Sequence, residues 1–237
     1  MQNRIHVIGV RIVNRYLVRA GRGSGWILND TGLPYTGALL LRRSLRRLGI
    51  APHEVKMIVL THGHVDHAGG AASASYLTGA PIAIHRADQH LVEGGLVVAP
   101  PLWSRAGRLM RSMLQPAMAL WRFPRHETDV VIEDEGPASE QLGLRGRVIH
   151  TPGHTAGSTS LLLESGAAFV GDLVAGPSRG SERPRLLPAG DSQRQMADSL
   201  CRLLGEGAKM IYPGHGPPFT ASSAEEALCS DSGEVWK

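Results

Sequence analysis

The sequence predicts a layered fold in which strands alternate with helices. Three observations carry that expectation. The apolar run Met57-Ile58-Val59-Leu60 ends in a Gly-containing turn, as a buried strand does. From there to Val92 strand-like and helix-like patterns alternate, the mark of an α/β layer structure. Further on, 159–163 and 167–170 flank Glu164-Ser165-Gly166 in the manner of a hairpin.

Each element follows from its own pattern. Residues 7–10, 11–20 and 25–29 read as three short strands, and the alternation within the second suggests an antiparallel meander. Asp30-Thr31-Gly32 closes the third strand, where Asp30 either forms a turn or reaches a site. Leu41, Leu45 and Leu48 are spaced for a helix over 36–48, with Arg42, Arg43, Arg46 and Arg47 on its wet faces and Gly49 as its C-cap. A helix over 71–77, a strand over 81–85 and a helix over 86–92 follow. Strands are expected at 128–132, 147–150 and 209–212, a helix at 191–204 and a short one at 224–228, before a polar tail carrying Trp236.

Residues 94–127 differ in composition. Arg105, Arg108, Arg111, Arg122 and Arg125 occur with no acidic residue between Glu93 and Glu127. Leu102, Ala106, Leu109, Met113 and Ala117 fall at helical spacing, and Pro116 is expected to kink or interrupt that helix. Three roles compete for it: core, an apolar lid or homodimer contact over the active site, or a membrane-surface helix. The chain is expected to be a single domain over 1–237, with this Arg-rich segment as an insertion.

Composition sets bounds. A 42% hydrophobic content in 237 residues supports a sizeable core. The two cysteines, Cys201 and Cys229, make a disulfide framework unexpected and a reducing compartment plausible, with Cys201 read as inert core. No stretch has the uncharged length of a membrane span, and the first residues lack a secretory apolar core. A cytoplasmic location is therefore expected. The net charge of +4 is almost all arginine, dispersed and without aromatic interleaving, so a solvated basic surface is expected rather than a nucleic-acid partner.

Chemistry concentrates in Thr61-His62-Gly63-His64-Val65-Asp66-His67, three imidazoles and one carboxylate at a strand's carboxyl end, where open α/β sheets place ligands. Imidazole suits zinc, iron or nickel, and an adjacent carboxylate extends the donor set. Three later turns repeat the pattern of a polar group just after a strand: Pro152-Gly153-His154, Gly171-Asp172 and Pro213-Gly214-His215. Each is weak alone, since Pro-Gly-His is more often an ordinary turn. Together they offer five histidines and two aspartates, a constellation that points to metal. Ser158 reads as structural, and of the remaining histidines His85 and His90 are the better candidates to face a substrate.

With these residues the chain resembles the metallo-β-lactamase-fold hydrolases. Their His-x-His-x-Asp-His motif is met by His62, His64, Asp66 and His67, and their later single ligands by His154, Asp172 and His215. Asn14-x-Tyr16-Leu17-Val18 with Asp30-Thr31-Gly32 resembles their opening strands. The resemblance implies an α+β fold, a four-layer αββα sandwich with the site at one edge. It also implies two divalent ions, zinc first and iron or manganese as alternatives. His62, His64 and His154 would hold one ion, Asp66, His67 and His215 the other, and Asp172 both. By the same resemblance a metal-bridging hydroxide would attack a small-molecule substrate, and Asp66 would take up the proton.

Departures from the subfamilies narrow the chemistry. Few residues follow His215, which argues against the helical glutathione-binding domain of glyoxalase II-like enzymes. Ala175 stands where lactonases of this fold carry Tyr, and His64 stands where the oxygen-reducing diiron branch has Glu. The expectation is a dinuclear hydrolase of a small ester, thioester or lactone. A phosphodiester hydrolase and a mononuclear-iron, persulfide dioxygenase-like oxygenase are the alternatives.

Overall fold

Successive side chains of a strand point to opposite faces, and in the central strands of this protein both faces are apolar. In β2 (Tyr16–Arg19), β3 (Trp26–Asn29) and β4 (Val55–Val59), Leu17, Leu28 and Ile58 pack among helix residues. Tyr16, Val18, Ile27 and Val59 point the other way, onto a second sheet. A sheet buried on both faces has to lie inside the molecule. The computed structural model describes residues 4–8, 13–19, 25–118, 120–133, 145–178 and 183–229.

The first sheet has the order β1-β2-β3-β4-β5-β6, adding β1 (Arg4–Val7), β5 (Ile82–His85) and β6 (Val130–Ile132). Its first three strands form an antiparallel meander as expected, although the first is Arg4–Val7 and shares only Val7 with the expected 7–10, and the others join in parallel. The second sheet runs β11-β10-β9-β8-β7, from β7 (Gly146–His150), β8 (Thr159–Leu163), β9 (Ala167–Gly171), β10 (Met210–Pro213) and β11 (Phe219–Thr220). The hairpin expected across 164–166 is β8–β9, paired antiparallel.

Helices cover both outer faces. Leu41 and Leu45 of α1 (Thr36–Leu48), Ala71 and Ala74 of α3 (Ala71–Thr78), and Val92 of α4 (Arg86–Gly94) pack on the first sheet. Met196, Leu200 and Leu203 of α6 (Gln193–Gly205) and Ala224 of α7 (Ala221–Ala224) cover the second. Between the sheets Tyr16, Met57, Leu161, Leu163 and Phe169 form the central core. Three apolar layers separating four tiers of structure make the αββα sandwich. The one-turn α2 (Val65–Ala68) lies within the histidine loop.

Three expectations change. The segment 94–127 does form a helix, α5 (Arg105–Met118), but it is not core: Gly107 is its one fully buried residue. Pro116 lies inside α5 two residues before its end, so it does not interrupt the helix ahead of Met118. Cys201 is exposed and disulfide-bonded, not an inert buried thiol. It follows Leu200 directly, and that step turns it out of the inward stripe of Met196, Leu200 and Leu203. The disulfide also removes the support that cysteine usage lent to a reducing compartment. Trp236 and parts of the first two expected strands lie outside the described residues. Among those described, no helix is long and apolar enough to cross a membrane.

Candidate metal centre

All the chemistry-bearing turns meet at one edge of the sandwich, because they follow strands that end there. β4 delivers Thr61 to His67, β7 the turn with His154, β9 Asp172 and β10 His215. Both sheets contribute. The side chains separate into two groups, His62, His64 and His154, then Asp66, His67, Asp172 and His215, whose donor atoms lie within 4.8 Å of one another in each group. All seven residues read from the sequence are brought together.

Asp172 faces both groups. Its Oδ1 lies 3.0 Å from His67 Nε2 and 3.3 Å from His215 Nε2, while Oδ2 lies 3.5 Å from His154 Nε2. Asp66 Oδ2 stands farther off, 3.6 Å from His215 Nε2 and 3.8 Å from His67 Nε2. His64 turns Nδ1 into the centre, 3.0 Å from His154 Nε2.

Neighbouring groups fix which ring nitrogen points inward. His67 Nδ1 donates to Asp30 Oδ2 at 2.9 Å, and His154 Nδ1 to the carbonyl of Ala189 at 3.1 Å. Thr61 Oγ1 donates to Asp30 and lies 3.1 Å from His62 Nδ1, from which it can accept. With Nδ1 occupied, Nε2 is the nitrogen that each of these rings turns inward, the arrangement that outer partners impose on metal-binding histidines. His62 Nε2, His67 Nε2 and Asp172 Oδ1 are buried with no aligned hydrogen-bond partner. The 3.0 Å approach of His67 to Asp172 is close but not aligned. Buried polar atoms left so are costly, and three aimed at one small volume fit a cation there.

Titration of the metal-free centre divides its histidines. Burial, reinforced by the neighbouring imidazoles, depresses His62 well below its ordinary value and His64 to about 3. Both are therefore neutral at physiological pH, as metal ligation requires. Burial also disfavours imidazolium at His67, but Asp172, Asp30 and Asp66 outweigh it and hold its proton. Burial would raise the Asp172 carboxyl, and His67 with His215 and His154 draws it well below the usual range instead.

The model of the metallo-beta-lactamase superfamily matches residues 8–215, a span that takes in every one of these side chains. The chain belongs to the metallo-beta-lactamase superfamily. It is similar to the probable metallo-hydrolase YflN of Bacillus subtilis, 26% identical with 94% of this chain and 88% of that protein covered. Among solved structures it resembles TTHA1623 in a di-iron-bound form, with a TM-score of 0.65, 26% identity, and 95% and 98% of the two chains covered. The BLEG-1 B3 metallo-beta-lactamase shares the fold, with a TM-score of 0.65 at 20% identity and 96% and 98% covered.

Within this superfamily scaffold the contacts of several supporting residues escaped the sequence reading. Asp88 of α4 is buried and accepts from Gly63 N at 2.8 Å, Thr155 Oγ1 at 2.8 Å and Gly157 N at 3.0 Å, binding the His62–His67 loop to the His154 turn. Asn14 Nδ2 donates to the carbonyls of Pro213 and Gly216, and Tyr16 Oη to Pro213 at 2.6 Å, anchoring the His215 turn. Nothing in the spacing of these residues marked their partners. Asp30 does reach the site, in a left-handed backbone with φ 59° that a non-glycine residue rarely adopts. Ser158 is structural as expected, bonding Thr155. His85 is buried and stacked on His150, with ring centroids 4.2 Å apart. His90, the other histidine singled out, is exposed on α4.

Proposed function

We propose that this protein is a dinuclear metallohydrolase acting on the ester-type bond of a small ester, thioester or lactone. The supporting observation is Asp172, whose two oxygens face the two donor groups. His62, His64 and His154 would hold one ion, Asp66, His67 and His215 the other, and Asp172 both. Bound there, two divalent cations would polarise a substrate oxygen and bring the pKa of water to about 7. With only two carboxylates among seven donors, the loaded centre keeps positive charge and favours a substrate that gathers negative charge on one oxygen.

The chain's own groups divide the remaining work. The Asp172 side chain is 7% exposed and the Asp66 side chain 30%. Asp172 is thus the fixed partner of the ions, and Asp66 Oδ2 is the carboxylate placed to take a proton and release it to solvent. Asp30 and Thr61 keep the imidazoles of His67 and His62 turned so that Nε2 points inward. Zinc suits this histidine-rich set. Iron is the second reading, favoured by the di-iron form of TTHA1623, and with it an oxygenase of the persulfide dioxygenase type.

Elemental analysis of purified protein, with a panel of thioesters, lactones, phosphodiesters and β-lactams beside an oxygen-uptake assay, tests the reading. Two equivalents of metal and turnover of a thioester, ester or lactone are expected. Turnover of a phosphodiester alone would remove the substrate class, and persulfide-dependent oxygen uptake would replace hydrolase by oxygenase.

A further inference from the structure

Helix α5 carries its amphipathicity the wrong way round. At 3.6 residues per turn, Ala106, Leu109, Met110, Met113, Leu114 and Ala117 share one face, and all six are exposed. Leu109 is 65% and Met113 73% accessible, and just past the helix Leu120 reaches 83% and Trp121 70%. The opposite arc, with Gly107, Arg111, Gln115 and Met118, lies against the protein, where Arg111 Nε bonds the carbonyl of Ala99 at 2.9 Å. Surface helices normally bury the apolar stripe, and contiguous exposed apolar surface marks a place of interaction.

The charge around the face selects the occupant. Arg105, Arg108, Arg122 and Arg125 are exposed beside it, and no acidic residue occurs between Glu93 and Glu127. A second copy of the chain in a two-fold contact would set this same patch against itself, bringing the two sets of arginines together with no acidic residue from this stretch between them. An anionic lipid surface offers phosphates for the arginines and acyl chains for Leu, Met and Trp. Trp121 suits the headgroup level, where one side of an indole is apolar and the other wet. We propose that α5 and residues 120–122 dock this protein on anionic membranes, with the helix lying in the plane of the interface.

The same segment borders the metal centre. Trp103 Nε1 donates to the carbonyl of Gly190 at 2.9 Å, Gly190 N to Pro101, and Asp191 N to the carbonyl of His154. Docking would therefore bring the rim of the His154 turn close to the lipid surface, whatever bond the centre acts on.

Sedimentation of the purified, metal-loaded protein with vesicles tests this. Vesicles of equal parts phosphatidylcholine and phosphatidylglycerol should carry the protein down, pure phosphatidylcholine much less, and binding should weaken as salt is raised. The double variant L109E/M113E should lose binding at least about tenfold, from the apolar transfer energy of the two side chains. These positions are exposed, so the far-ultraviolet circular dichroism should be unchanged. L39E, on the exposed face of α1, should bind as the parent does. Failure to bind anionic vesicles, or equal binding by L109E/M113E, overturns the proposal. So does a dimer in ultracentrifugation that L109E/M113E dissociates, which would assign the face to a second copy.

Discussion

Removing the Asp88 carboxylate should cost both stability and metal, because it is the buried link between two loops that donate ligands from opposite sheets. In D88A the amides of Gly63 and Gly157 lose their acceptor. Thr155 Oγ1 keeps its 2.8 Å contact with Ser158 Oγ, so two buried donors, not three, are left unmet. At about 1–3 kcal/mol for each, the loss should be about 2–6 kcal/mol, a substantial part of the ~5–15 kcal/mol that holds a typical domain folded. Urea denaturation of the metal-free protein, followed by circular dichroism, reads this directly. D88N retains one acceptor oxygen and should fall between D88A and the parent. Competition titration with a chromophoric chelator should show the site of His62, His64 and His154 weakened by about 10- to 100-fold, the usual consequence of losing an outer-shell partner. The other site, whose outer partner is Asp30, should change much less. A D88A protein within about 0.5 kcal/mol of the parent, with both affinities intact, would refute the reasoning.

Three further outcomes are expected. D66N should lower kcat by about 10²- to 10⁴-fold, the range for a lost proton-transfer group, and elemental analysis should show reduced occupancy of the site it shares with His67 and His215. G214A would place a methyl 2.5 Å from both Asp172 Oδ1 and His67 Cε1, so it should fold with a loss of about 1–3 kcal/mol while metal content drops. Metal-free protein should be most stable near pH 6.5. Below that, the unfolded chain binds protons that folded His62 and His64 refuse, and stability falls towards pH 3 by up to about 1.4 kcal/mol per pH unit for each proton. His67 has its folded value raised, so its contribution is complete below pH 6.5 and is lost as pH rises through that value. Denaturant midpoints measured across pH, with and without bound metal, check this; an acid limb that is flat from 6.5 to 4 would contradict it.

Much of this was legible from local pattern. The bounds of α1 follow from Leu41, Leu45, Leu48 and the αL cap at Gly49, because heptad-like spacing and a left-handed terminus are properties of adjacent residues. The seven donor side chains were legible for a related reason: each lies in a short polar segment that begins where a strand ends. Asp88 was not, since its partners lie 25, 67 and 69 residues away and nothing local distinguishes it from a solvated helix carboxylate. The outward face of α5 was hidden too. Helical spacing states that a stripe exists but leaves open what it faces, and only packing decides that. Cys201 shows the same limit, because one step along a helix separates a buried position from an exposed one.

The two halves of the donor set grow from different sheets, and His64 and His154 are 90 residues apart in the chain. During synthesis the first loop is complete long before its counterparts exist, so a tight dinuclear centre can form only after the second sheet has closed on the first. Cations captured there would then act as a seal on a finished molecule, locking the open edge of the sandwich. Stripping them should free that edge first, with amide exchange rising at the ends of β4 and β9 while the middle of the layers stays protected.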